Sequence, residues 1–498
     1  MKAFLMFDKS NFSLQQKLPW NEKDLIQDLE LSTLFNAMAQ GDDFIFEVAK
    51  KAVLSGIYID VNTILYRQDI LSDSLNNASI IKEMYKISVE AIESRNKSYW
   101  SEFNLRFPST ILQNADGLMQ MFVELLQQLR IIADNHSNKF HSEGFTALFA
   151  MLKKELDDEY FAKVKSHLQE LKLKDGILLS AGLGKGNTCT QWILHRFLVK
   201  KQCWFWRLFP KKSSISPINI KHGDDIGMRI LSEFKGEGVN LVANALAQST
   251  DHIHSFFSML QTELAFYVGC LNLHEQLVRT GEPTSFPSPL AKEQRKHSFK
   301  ELYDACLALT LGKRTVGNAT NADDKTLVLI TGANQGGKST YLRSIGLSQL
   351  MMQCGMFVPA ETFEANMCDS LITHFRREED TTMKSGKLDE ELGRMNAIID
   401  HLTPNSIILF NESFAATNER EGSEIARQIV NALLEKRIQV FFVTHLYDFA
   451  NSIYVRKLPN VISLRAERQA DTSRTFRLIE AAPLKTSYGQ DLYNRIFV

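Results

Sequence analysis

Proline is scarce in this chain and unevenly spread: of 11 prolines in 498 residues, none falls between Pro108 and Pro210 or between Pro217 and Pro283. Two long tracts are therefore free of the residue that most reliably breaks helices. Cysteine is also scarce. The six thiols (Cys189, Cys203, Cys270, Cys306, Cys354, Cys368) contain no CxxC pair, which excludes a disulfide scaffold or a clustered thiolate metal site and fits a reducing, cytoplasmic compartment. No apolar run approaches the roughly 20 residues of a membrane span. The N-terminal stretch meets Asp8 before any run of signal-peptide length. Charge of one sign is missing too. With 57 Lys+Arg against 58 Asp+Glu, the net charge of -1 gives no whole-chain attraction to polyanions, so any nucleic-acid contact has to come from a local basic surface. What remains is ordinary globular composition, 44% hydrophobic, enough for two or more cores.

The proline-free tracts carry the helical period. Leu118, Met121, Phe122, Leu125, Leu126, Leu129 and Ile132 recur at three- and four-residue steps, as do Ile253, Phe256, Phe257, Leu260, Leu264, Tyr267, Val268 and Leu271, which predicts two long amphipathic helices. Three prolines and a glycine between Arg279 and Pro289 then break the pattern and read as a hinge. From about Leu327 the chain turns to short apolar runs between helical stretches. Leu327 to Ile330, Ser406 to Phe410 and Val440 to Val443 predict strands of a mostly parallel sheet buried on both faces. The expected organisation is a mainly helical core and outgoing arm over 1–174, a small β-containing insert over 175–225, a returning helix over 226–280, a linker over 281–298, and a C-terminal α/β phosphate-loop ATPase domain over 299–498.

Between the first of those strands and a helical stretch, Gly332-Ala333-Asn334-Gln335-Gly336-Gly337-Lys338-Ser339 fits G-x-x-x-x-G-K-[ST]. Its glycines let backbone N–H groups curl round a phosphate at a helix N-terminus, Lys338 can reach the β- and γ-phosphates of ATP, and the Ser339 hydroxyl can ligate Mg²⁺. Thr340 opens the helical stretch. The second strand ends at Asn411-Glu412, where an ATPase places an Asp for the metal and a Glu that polarises water. An amide at 411 carries no charge, so Mg²⁺ is expected to be held less firmly and hydrolysis to be slow, with Glu412 as base. The third strand ends at Thr444-His445, which makes His445 a γ-phosphate sensor or a satisfied surface histidine. Ser385-Gly386 opens another helix, either presenting a hydroxyl and N–H groups to a γ-phosphate or serving only as a cap.

The run Ile330 to Arg343, then Phe357-Val358-Pro359-Ala360, Ser385-Gly386, Asn411-Glu412 and Thr444-His445, in that order and spacing, closely resembles the ATPase domain of the MutS family. The resemblance covers about Phe299 to the end, including Ser487-Tyr488-Gly489. Upstream, Tyr66-Arg67-Gln68-Asp69 looks like the family's "RQ" segment, and the helix around Phe256 to Leu277 looks like its returning lever arm. The resemblance implies a DNA-associated, Mg²⁺-dependent ATPase that dimerises so that Ser385 of one subunit reaches the ATP of the other. It also sets limits. The chain begins almost at the core domain, so the family's mismatch-reading domain is expected to be missing, and Phe122-Val123-Glu124 matches its Phe-x-Glu wedge only by chance. Because it ends soon after Gly489, the family's C-terminal helical extension and the nuclease domain of one branch are likewise expected to be missing. Asn411-Glu412-Ser413-Phe414 replaces the usual Asp-Glu-Ile/Leu-Gly.

For a DNA clamp the sequence offers one stretch. No Asp or Glu occurs from Gly176 to Gly223, while Lys185, Arg196, Lys200, Lys201, Arg207, Lys211 and Lys212 fall there among Trp192, Trp204, Phe205, Trp206 and Phe209. Such a segment suits salt-dependent phosphate contacts and base stacking, or equally a small β-rich subdomain with an aromatic core and a solvated basic face. Gly182-Leu183-Gly184-Lys185-Gly186 reads as a turn, because its Lys is not followed by Ser or Thr. The leading expectation is a DNA-binding ATPase in mismatch repair or related DNA repair. The alternative is a nucleotide-gated assembly module whose partner is a protein or a membrane.

Overall fold

The computed structural model describes residues 1–98, 108–172, 177–187, 189–195, 224–377, 386–469 and 474–485. The N-terminal part is helical: α1 (Glu22–Asp28), α2 (Leu31–Ala39), α3 (Asp43–Ser55), α4 (Val61–Asn76), α5 (Ala78–Ser98), α6 (Pro108–His136), α7 (Glu143–Glu155) and α8 (Asp158–Leu171). A hairpin of β1 (Leu178–Leu183) and β2 (Cys189–His195) follows, then α9 (Asp225–Arg279), a single helix of 55 residues. The C-terminal part is α/β: β3 (Ser288–Leu290), β4 (His297–Leu302), α10 (Ala305–Leu311), β5 (Asn318–Asn321), β6 (Leu327–Thr331), α11 (Lys338–Gln353), β7 (Thr362–Asn366) and β8 (Leu371–Phe375). It continues with α12 (Lys387–Ile399), β9 (Ile407–Asn411), α13 (Glu419–Glu435), β10 (Gln439–Val443), α14 (Tyr447–Val455), β11 (Val461–Arg468) and β12 (Arg474–Glu480). No helix among the described residues is long and apolar enough to cross a membrane.

The chain divides into two compact units. One comprises residues 1–3, 83–140 and 146–261. Here the helical period of the sequence becomes a buried stripe: Leu118, Phe122, Leu125, Leu126, Leu129 and Ile132 of α6 are buried, and Phe122 meets Phe257 of α9 with ring centroids 5.7 Å apart. Phe122 is thus a core side chain. In the hairpin, Trp192 lies 5.2 Å from Phe234 of α9, and Leu179 packs where any side chain at Gly238 would stand.

The other unit comprises residues 4–82, 141–145 and 262–498. Its main sheet runs β12-β11-β6-β10-β9-β8, parallel throughout except for the edge strand β12. Strand alternation sorts its residues: Ile408 and Phe410 of β9 join the core beneath α12, α13 and α14, while Leu409 points the other way, against Gly346 of α11. Both faces are covered, as the unbroken burial of β6 and β8 requires. A second, four-stranded sheet runs β3-β7-β4-β5. The segment Phe4 to Phe12 is strapped down by side chains of α4 and α9. Tyr66 donates to Phe4 O, Arg67 Nε to Met6 O (2.8 Å), Tyr267 to Leu5 O, and the Leu5 and Phe12 amides donate to Glu263. Arg67 also reaches Cys354 O at the end of α11, 3.2 Å away, and Gln68 donates to Pro287 O.

Candidate functional site

Three adjacent parallel strands, β6, β10 and β9, end at the same edge of the sheet, the edge where open α/β sheets gather ligand groups. The glycine-rich loop leaves β6 there. Gly332 (φ +115°) and Gly337 (φ +87°) occupy backbone conformations that side chains disfavour, and a Cβ at Gly332 or Gly336 would strike Ala466 of β11. Ala333 and Gly336 are buried, Asn334 and Gln335 exposed, and Arg474 of β12 donates to the Gln335 amide oxygen across 2.7 Å. Gly337 caps α11, whose first turn carries Lys338, Ser339 and Thr340.

Lys338 folds back over the loop, donating to Gly332 O at 3.1 Å and Ala333 O at 2.9 Å. Burial pulls its ammonium down to about 8, opposed by the Glu412 carboxylate and reinforced by Arg474. The neighbouring Ser339 hydroxyl donates to Asn411 Oδ1 at 2.9 Å. One residue on, Glu412 turns into a left-handed conformation (φ +56°), its amide donating to Val443 O on β10. Its carboxylate accepts from His445 Nε2 at 2.8 Å. That hydrogen bond holds the Glu412 carboxyl below the usual carboxylate range against the opposing effect of burial, with the charges of His445 and Lys338 adding to it.

Sequence reasoning singled out Lys338, Ser339, Asn411, Glu412 and His445, and the structure brings all five together at this edge. Gly386 caps α12. Ser385 lies outside the described residues, as do Arg196, Lys200, Lys201, Arg207, Lys211 and Lys212. Lys185 is exposed in the turn between β1 and β2. Sequence reasoning missed a cavity of about 520 Å³ that opens beside the loop, lined among others by Tyr303, Val316, Asn318, Gly337, Tyr341 and Phe476. The buried Tyr303 hydroxyl has no hydrogen-bond partner among the described residues. No local motif marks these residues, which come from four separated segments.

Comparison with known proteins bears on this arrangement. Residues 59–280 match the MutS2 N-terminal domain, and residues 328–496 match MutS domain V, the segment that carries the loop, Asn411, Glu412 and His445. The chain belongs to the MutS family. Relatives in the family include a DNA mismatch repair protein MutS of Streptococcus mutans, 25% identical over 307 residues that make up 58% of this chain and 36% of that protein. One of Streptococcus thermophilus is 25% identical over 54% of this chain and 33% of its own length. One of Leptospira interrogans is 27% identical over 45% and 27% respectively. The chain therefore spans about a third of the length of these family members.

Proposed function

We propose that this MutS-family chain is an ATPase that couples Mg²⁺-dependent ATP hydrolysis to DNA binding, acting as a dimer in mismatch repair or a related DNA repair or recombination process. The observation that carries the reading is the convergence of a loop amine, a hydroxyl–amide pair and a carboxylate–imidazole pair at the ends of three neighbouring strands. Lys338 and the loop amides would hold the phosphates, and the cavity beside Gly337 suits the nucleobase. Ser339 and Asn411 offer oxygen donors of the kind Mg²⁺ takes, so they fit the ion. When bound, Mg²⁺ supplies charge neutralisation to the phosphates. Glu412, kept ionised by His445, would orient and deprotonate water, with His445 proposed as the γ-phosphate sensor. Relatives named as DNA mismatch repair proteins support DNA as the partner. The basic stretch 185–212 is its proposed contact, and Ser385-Gly386 is proposed to reach the nucleotide of the second subunit.

The test is the ATPase rate with homoduplex, mismatched, four-way-junction and single-stranded DNA over a salt series, beside the variant Lys200→Ala/Lys201→Ala/Lys211→Ala/Lys212→Ala. Stimulation that falls with salt and is lost in the variant supports the reading. ATP binding without any response to DNA refutes the DNA part and leaves an assembly module with another partner.

A further inference from the structure

The turn that carries Glu412 is costly to hold. Glu412 at φ +56° and Phe414 at φ +63° are two left-handed, non-glycine residues within three positions. A side chain disfavours this conformation at each of the two positions, so the surroundings must hold the turn in place. The Phe414 amide donates to Glu391 Oε2 of α12 at 2.8 Å. Glu391, on α12, is nearly fully buried, at 3% exposure. Its backbone carbonyl is 3.1 Å from His374 Nε2, and His374 Nδ1 is 2.7 Å from the Ser413 hydroxyl. The Glu391 carbonyl can only accept, which sets the proton of the neutral ring on Nε2, while the Ser413 hydroxyl donates to the His374 carbonyl oxygen at 2.6 Å. Burial keeps this imidazole neutral, pulling it down to about 4. The Phe414 ring stacks on His374 with centroids 5.4 Å apart, and the Phe414 carbonyl occupies the space that any side chain at Gly422 of α13 would need.

Glu391 thus meets this turn twice, its carboxylate at the Phe414 amide and its carbonyl at the His374 ring that adjoins Ser413. We infer that Glu391 is a positioning residue for hydrolysis: its carboxylate, gripping the Phe414 amide, holds Glu412 in the pose that reaches water and ties that pose to the placement of α12. The inference rests on the reading of Glu412 as the base. A helix that opens at Gly386 and holds the base five residues later transmits any displacement of its first turn to Glu412.

The experiment compares Glu391→Ala and Glu391→Gln in the full chain, measuring ATP affinity, kcat, KM and amide exchange over residues 411–418. Gln keeps an acceptor oxygen for the Phe414 amide and Ala removes it. The expected result for Glu391→Ala is a kcat lower by roughly tenfold or more, with ATP affinity within about twofold of the parent and faster exchange at Phe414. Glu391→Gln should restore kcat to within about threefold. A Glu391→Ala protein with parental kcat, or one that loses ATP binding and turnover together, overturns the inference, as does failure of Gln to rescue. Should the parent itself hydrolyse no ATP, the proposed function fails and the hydrolytic role of Glu391 falls with it; a parent that turns over ATP while exchange at Phe414 and kcat are the same in all three proteins overturns the inference alone.

Discussion

The Ser339 hydroxyl donates to the amide oxygen of Asn411 across 2.9 Å, linking the first turn of α11 to the end of β9 at the point where the loop and the base meet. An aspartate at 411 could accept the same bond, so the amide is not required to hold Ser339. What it changes is charge. Asn411→Asp would place a negative group beside the hydroxyl, and residues 339 and 411, which would hold Mg²⁺, would then supply an anionic oxygen to it. The Mg²⁺ concentration giving half-maximal ATP turnover should fall by about five- to tenfold. An unchanged titration would show that the metal is held by Ser339 and the phosphates alone.

Through Lys338, the proposed nucleotide binding is expected to be sensitive to alkali. Its ammonium sits at about 8 because burial penalises the charge more than Glu412 restores it. Below that value the lysine is charged and available to phosphate; above it the lysine is increasingly neutral. ATP affinity should weaken as pH rises from 7 to 9.5, with protons taken up on binding near pH 8, measurable by calorimetry in buffers of different ionisation heat. Lys338→Arg, charged throughout, should flatten the profile even while lowering affinity. A parental profile that is already flat would show that the loop is open enough in solution to keep the amine hydrated.

Much of the α/β unit is legible in the sequence because strands buried on both faces leave unbroken apolar runs. The runs at 327–330, 406–410 and 440–443 appear as β6, β9 and β10 with ends moved by a residue or so. Strand β8 is no less buried yet escapes notice, since its Leu-Ile-Thr-His-Phe includes a histidine whose partners, Ser413 and Glu391, lie 39 and 17 residues away. Arg67 stands out in the sequence as part of the "RQ" segment, but its burial hides for the same reason. A lone arginine in a helix reads as solvated, and only carbonyls 61 and 287 residues distant make its full burial tenable. The site follows the same rule. Residues grouped in motifs, Lys338, Ser339, Asn411, Glu412 and His445, are visible locally. Arg474, Ala466 and Glu391, which support them, arrive through sheet order and helix packing that no short pattern encodes.

Glu263 predicts a stability that depends on pH in an unusual direction. Burial raises its carboxyl from 4.5 to about 7, although the Leu5, Phe12 and Met6 amides and Arg67 pull it back down. The folded chain therefore binds a proton that the unfolded chain has released. Its contribution is fully present below 4.5 and is lost as pH rises through about 7, a change on the order of 3 kcal/mol. Glu263→Gln, neutral at every pH, should remove that slope from a series of urea midpoints between pH 5 and 8. An identical slope in parent and variant would place the titration elsewhere.

Phe414 sets two effects against each other. Glycine at 414 would relieve the φ of +63°, a gain of about 1–2 kcal/mol, but would delete a fully buried ring stacked on His374, a loss of about 3–5 kcal/mol by analogy with other buried aromatics. Burial wins in this comparison, so Phe414→Gly should destabilise by about 2–3 kcal/mol. Phe414→Ala loses the same ring while keeping the left-handed strain, and should fall below the glycine variant by about 1 kcal/mol. The order parent, glycine, alanine in urea midpoints identifies both contributions. If glycine proved more stable than the parent, strain would outweigh packing at this turn, and the ring would serve the pose of Glu412 at a net cost to the fold.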